Sequence, residues 1–289
     1  MSFWIAALPV NAAERTCLPY QAGDGGNPVI ALSVNGRPSV WLVLDTAASG
    51  TTLDKAAISE MGLGLIAPAD TGEGMGGSMA VRLFEAEEVK AGPVVHRNFT
   101  IVEVPAPAFD SHPVVGIAGV DLFGPALTVW DGSGCVHILP GGGRPDGPGW
   151  RRLDARWLQA WKVLLPISID GVAGWGLLDT GAQSTVLNTT FAKRLGLTDK
   201  PDQLKPRGSI AGLDGRELPL SSADVADLHI GPWRWARQNV GVADLPVFQR
   251  LGSADEFLAV IGADLLADKA FALDYASKVL WARPQATRP

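Results

Sequence analysis

The sequence predicts an all-β protein of two homologous lobes, and three observations carry that prediction. A short motif occurs twice, as Leu42-Val43-Leu44-Asp45-Thr46-Ala47 and as Gly176-Leu177-Leu178-Asp179-Thr180-Gly181. The segments flanking it recur in the same order, as an internal duplication requires. The composition, 34 Gly and 21 Pro in 289 residues, suits many short strands joined by tight turns. A chain of that length can bury two cores of ordinary domain size.

Residues 1–26 read as an N-terminal extension. Its stretch Phe3-Trp4-Ile5-Ala6-Ala7-Leu8-Pro9-Val10, followed by Asn11-Ala12-Ala13, resembles the end of a secretory signal, although no Lys or Arg precedes it. Export to a periplasm or medium is therefore expected, with a cytoplasmic location as the alternative. Residues 27–139 form the first lobe. Here Val34-Asn35-Gly36 turns into the apolar strand ending at Asp45, and a short helix closes at Met61-Gly62-Leu63. A hairpin from Thr71 to Ala91 has Gly72, Gly74, Gly76 and Gly77 at its tip, and an apolar segment with glycine and a final strand complete the lobe.

The run from Pro140 to Gly149 holds neither helix nor sheet, so residues 140–160 read as a linker and junction. Residues 161–283 repeat the plan. Ile169-Asp170-Gly171 corresponds to Val34-Asn35-Gly36, Leu195-Gly196-Leu197 to Met61-Gly62-Leu63, and Gly262-Ala263-Asp264-Leu265 to Gly119-Val120-Asp121-Leu122. The second hairpin runs from Gly208 to Ile230, where Asp214-Gly215 predicts a two-residue turn. Residues 284–289 are a tail. The offset between halves is 134 at the acids and 143 at the later glycines, so the second half carries extra residues between them.

Each motif delivers a carboxylate from a buried strand into a tight turn. Two acids at equivalent places suggest a facing pair, in which one is ionised while its neighbour holds a proton. With these residues in view, the chain resembles aspartic proteases of the pepsin and retropepsin clan, in which Asp-Thr-Gly or Asp-Thr-Ala follows an apolar strand. A downstream apolar-apolar-Gly segment packs beneath it. Val260-Ile261-Gly262 serves in the second half and either Val114-Val115-Gly116 or Ile117-Ala118-Gly119 in the first. The Gly-x-Asp-Leu extension is closer to retropepsin-like bacterial proteins than to animal pepsins, and the resemblance covers roughly Asn27 to Arg283.

The resemblance implies a bilobal acid-protease fold, with a short helix in each lobe and a cleft between them. It implies Asp45 and Asp179 as the catalytic dyad, with Thr46 and Thr180 behind it, their hydroxyls crossing to the opposite lobe. It also implies Ala47 and Gly181 as sources of backbone N–H groups near the carboxylates. Two departures stand out. Ala47 occupies a place usually held by Gly, and the Tyr of pepsin flaps is missing, since Tyr20 and Tyr275 are far in sequence from either hairpin. The flap candidates are Gly74, Gly76 and Gly77 in the first hairpin and Asp214 and Gly215 in the second.

The remaining residues have plainer readings. Asp121 and Asp264 suit helix caps, and Asp131 and Asp274 suit turns. His96, His112, His137 and His229 lack metal-ligand spacing, and neither a metal nor a cofactor is expected. Ser49 and Ser184 have no His partner in the motif. Cys17 and Cys135 suit either one disulfide or two reduced thiols. The net charge of −6 argues against a nucleic-acid partner, and no run approaches the roughly 18 apolar residues of a membrane span. The expected function is an endopeptidase acting on extended polypeptides, with a peptide-binding pseudoenzyme as the alternative. Two lobes in one chain make a monomer the expected state.

Overall fold

The structure, a computed structural model, describes residues 15–199, 202–212 and 215–284. The signal-like stretch, Asp214 and residues 285–289 of the tail lie outside the described residues. The protein is built from two eight-stranded sheets, one per lobe, and a six-stranded sheet shared between them. This is the bilobal acid-protease architecture.

In the first lobe the motif strand Val40–Leu44 lies between two neighbours. It pairs antiparallel with Pro28–Val34 and parallel with Val114–Ala118. A strand covered on both edges and buried at Leu42, Val43 and Leu44 has no freedom to slide, so the residue following it is placed by the sheet. Asp45 N donates to Ala118 O at 2.9 Å. The second lobe repeats this with Val172–Leu178 between Val163–Ile169 and Leu258–Ile261, and Asp179 N donates to Ile261 O at 3.1 Å. Ala118 therefore corresponds to Ile261. Of the two sequence candidates, Ile117-Ala118-Gly119 is the segment equivalent to Val260-Ile261-Gly262. A Cβ on Gly119 would fall 2.7 Å from the Gly50 backbone, and one on Gly262 2.7 Å from that of Ser184, so both positions demand glycine.

The short helices follow as expected, Lys55–Met61 and Thr189–Arg194. Asp54 Oδ1 accepts from Ala57 N at 2.7 Å and Asn188 Oδ1 from Phe191 N at 2.9 Å, satisfying N–H groups that the first turn leaves free. Gly62, at φ +64°, ends the first helix. The helical turns expected at Asp121 and Asp264 form as Val120–Leu122 and Ala263–Leu266, and the second lobe adds one short helix that the repeat did not announce, Phe248–Leu251.

The shared sheet revises the expected boundaries. Its order is Thr16–Pro19, Cys135–Leu139, Leu127–Trp130, Ala270–Asp274, Val279–Arg283, Arg151–Leu153, so each half supplies three strands in mirrored order. Part of the N-terminal extension is thus an edge strand, and part of the junction, Arg151–Leu153, is the opposite edge. Only the run up to Gly149 is irregular; beyond it the chain meets the exposed edge of Val279–Arg283 and pairs with it. Asp274 is buried and accepts from Ala276 N and Ser277 N, both at 3.0 Å, as a turn residue does. It also accepts from Gly143 N of the linker at 2.8 Å. Cys17 and Cys135 form a disulfide across the first two strands, with Cα atoms 5.7 Å apart.

Both hairpins are longer than the sequence indicated. The first comprises Gly64–Gly74 and Gly77–Ala91, with Gly74 opposite Gly77 and Met75-Gly76 at the turn. The second comprises Lys205–Ala211 and Glu217–Ile230, joined through residues 212–216. The two-residue turn expected at Asp214-Gly215 falls partly outside the described residues; beside it Gly215 N donates to Gly212 O at 3.0 Å.

Candidate active site

The two motif turns meet between the lobes. Thr46 Oγ1 donates to Leu178 O at 3.0 Å, and Thr180 Oγ1 donates to Leu44 O at 2.7 Å. Each hydroxyl also accepts the other threonine's backbone N–H, both at 3.1 Å. These four reciprocal bonds are buried, and they hold the two strand ends at a fixed separation. A side-chain hydrogen bond joins Asp45 and Asp179.

The acids have unequal surroundings. Asp179 is 3% exposed, whereas Asp45 keeps a partial opening to the cleft. Asp45 Oδ1 accepts from Ala47 N at 2.7 Å and Ala48 N at 3.2 Å. Asp179 Oδ1 accepts from Ala182 N at 2.8 Å. Ala48 and Ala182 were not anticipated, although their N–H groups follow from the same turn one residue on. Burial raises the Asp45 carboxyl, an effect that the Ala47 N–H and the positive charge of Lys162 oppose. Burial pushes Asp179 well above the usual carboxylate range, and the neighbouring Asp45 charge pushes it further. Both carboxyls are thus pushed up together, as in a pair of neighbouring acids that titrates as a unit.

Gly181 sits where a Cβ would lie 2.5 Å from Asp45 Cγ, so no side chain fits. At the equivalent place Ala47 packs against the second lobe's apolar cluster, as Met75 and Trp175 do. The departure from glycine is thereby accommodated.

Asp121 and Asp264 do not cap helices through their side chains. Asp121 accepts from Thr51 N at 2.8 Å and Thr51 Oγ1 at 2.7 Å, and Asp264 accepts from Thr185 N at 2.9 Å and Thr185 Oγ1 at 2.8 Å. The threonine hydroxyls in turn accept from Gly119 N and Gly262 N, each at 3.2 Å. These carboxylates tie the loop after each catalytic candidate to the apolar-Gly segment below it. Thr51 and Thr185 were passed over in the sequence, though they recur at the offset of 134 shared by the acids. Asp131 accepts from Ser133 N at 3.1 Å, as a turn residue does.

Above the dyad, the first hairpin's tip crosses to the second lobe. Met75 O accepts from Val247 N at 3.3 Å, while Arg250 reaches Glu73 at 2.7 Å and Ser78 Oγ at 3.0 Å. A Cβ on Gly77 would be 3.7 Å from Arg216, so the second hairpin approaches the same tip. Gly74, Gly76 and Gly77 thus lie at a tip that meets the second lobe, and Gly215 lies in the hairpin whose Arg216 approaches it.

Two lobes with a shared sheet, a crossed threonine pair and facing carboxyls at the lobe boundary define an acid-protease-like protein. Residues 30–122 and 165–265 match the Aspartyl protease family, and the chain belongs to that family. No curated protein matches the sequence. Among solved structures, basic 7S globulin from soybean is similar in fold, with a TM-score of 0.53 and 12% identity over 94% of this chain and 95% of that one.

Proposed function

We propose that the protein is an aspartic endopeptidase that hydrolyses extended polypeptides through a water activated between Asp45 and Asp179. The observation that carries this reading is the unequal pair of hydrogen-bonded carboxyls. The ionised Asp45 takes a proton from the water as its oxygen attacks the scissile carbonyl, and the protonated Asp179 donates to the carbonyl oxygen. Collapse of the tetrahedral species then releases the amine, with the proton now on Asp45 available to it. The long hairpins offer free backbone groups beside the cleft, to which a substrate can add as a strand while alternate side chains enter pockets. We further propose an exported, monomeric protein, a reading supported by the disulfide.

Purified protein incubated with a peptide library across pH tests the activity. Cleavage should follow a bell-shaped profile on the acid side of neutrality, its acid limb set by protonation of Asp45 and its alkaline limb by loss of the Asp179 proton. Statine-type compounds, whose hydroxyl takes the water's place, should compete. Peptides that bind between the lobes yet stay intact at every pH would make the chain a binding relative instead.

A further inference from the structure

Asn27 has no accessible surface, and its Nδ2 donates to Thr180 O at 2.7 Å and Ala182 O at 3.1 Å. Both acceptors belong to the other lobe's motif turn. Because both are carbonyl oxygens, only the NH2 side of the amide can face them. Asn27 Oδ1 has no hydrogen-bond partner among the described residues. A buried amide oxygen without a donor is costly, so an apolar side chain would be the cheaper choice unless the two donors are needed.

The approach to this position is also specialised. Asn27 follows the tight turn Asp24–Gly26, in which Gly25 has φ +64° and Gly26 φ +87°. Added Cβ atoms would come within 3.1 Å of Gln183 Cβ and of Ala267 Cβ respectively, so the turn lies flush on the second lobe. The two acceptors bracket Gly181, and within the same turn Ala182 N donates to Asp179 Oδ1 at 2.8 Å. Asn27 thus holds, from both sides, the turn that supplies this bond to Asp179.

We propose that Asn27 is a positioning residue of the dyad, which fixes the Thr180–Ala182 turn from the opposite lobe. Its counterpart in the duplication is Lys162: each immediately precedes the first strand of its lobe's sandwich, Pro28–Val34 and Val163–Ile169. Asp179 is thus served by a neutral brace, whereas Asp45 is faced by a cation. The titratable groups facing the pair are Lys162, whose charge acts on Asp45, and Tyr275, on which the Asp45 charge acts, besides the two acids themselves.

The kinetic part of the test rests on the endopeptidase reading; the titration part does not. Asn27→Leu in the full chain keeps the volume and removes both donors. With isotope-labelled aspartate carboxyls followed by NMR, the upper titration of the dyad should rise by roughly half a pH unit, because a weakened N–H donor favours the protonated carboxyl. The kcat should fall about tenfold while KM stays within about twofold, since Asn27 touches the turn and not the substrate. A folded variant with an unmoved titration overturns the proposal, whatever its kcat. If Asn27→Leu does not fold, Asn27→Ala is measured in the same way, and failure of both to fold overturns it in favour of a purely structural role. A moved titration in a protein that cleaves no peptide removes the endopeptidase reading and leaves the proposal standing.

Discussion

Gly181 and Ala47 occupy equivalent turns, yet only one tolerates a methyl group. Gly181→Ala would drive a Cβ into the Asp45 carboxyl, and displacing a reacting group by about 1 Å can cost on the order of 100-fold in rate. Ala47→Gly removes only a methyl group packed against the second lobe's apolar cluster, so its loss should be no more than a few-fold. The kcat/KM of both variants, with melting curves to verify folding, distinguishes them; equal losses would contradict the geometry. Asp179 makes a second prediction. Its folded carboxyl is raised by burial and by the Asp45 charge, so the native state binds more protons than the unfolded chain. Stability is then fullest below the ordinary carboxylate range, about pH 4, and is lost as pH rises through the folded value. Asp179→Asn should abolish cleavage while flattening this loss, so that the variant gains on the wild type in urea unfolding at pH about 7 relative to pH about 4. The paired acids were legible because strand, acid and threonine recur together. The tasks of Asp121 and Asp264 were not, because an Asp at the start of a helical turn looks like a cap whether it bonds its own turn or a threonine 70 or 79 residues away.

The element that bridges the two lobes beyond the motif turns is the first hairpin. Its glycine-rich tip was visible in the sequence, but its docking was not, since nothing local marks Glu73 and Arg250 as partners. The dock itself comes from unequal halves: between the second hairpin and Gly262 the second lobe carries additional residues, and the helix Phe248–Leu251 with Arg250 lies there. Arg250 and Glu73 are both partly exposed, so their pair contributes at most about 1 kcal/mol. Arg250→Gln should therefore open the tip modestly. Hydrogen exchange at residues 72–79 should quicken up to about fivefold while the shared sheet exchanges as before. Unchanged exchange at the tip would mean that Met75 in its apolar cluster, rather than the ion pair, holds the hairpin down.

For the whole molecule, the duplication foretold two lobes but not the sheet that joins them. Repeats report what each half does by itself, whereas the pairing of Leu127–Trp130 with Ala270–Asp274 exists only between halves. The same blindness hid the edge strands Thr16–Pro19 and Arg151–Leu153, too short to carry a hydrophobic period. The Cys17–Cys135 bond closes a loop of 118 positions, and its removal by Cys17→Ser should lower stability by about 2–5 kcal/mol with cleavage retained. Denaturant unfolding of wild type and variant under non-reducing conditions checks this, and equal midpoints would refute it.

The mirrored order of the six strands has a consequence for what the linker is. Each half ends in a bare strand edge that only the other half covers, and the disulfide lies wholly within the first half. The polypeptide is in effect a dimer whose two subunits share a leash, and the leash between Pro140 and Gly149, anchored midway by the bond from Gly143 to Asp274, supplies chiefly effective concentration. Severing it should leave a particle of full size that loses activity only on dilution, as separate partners do.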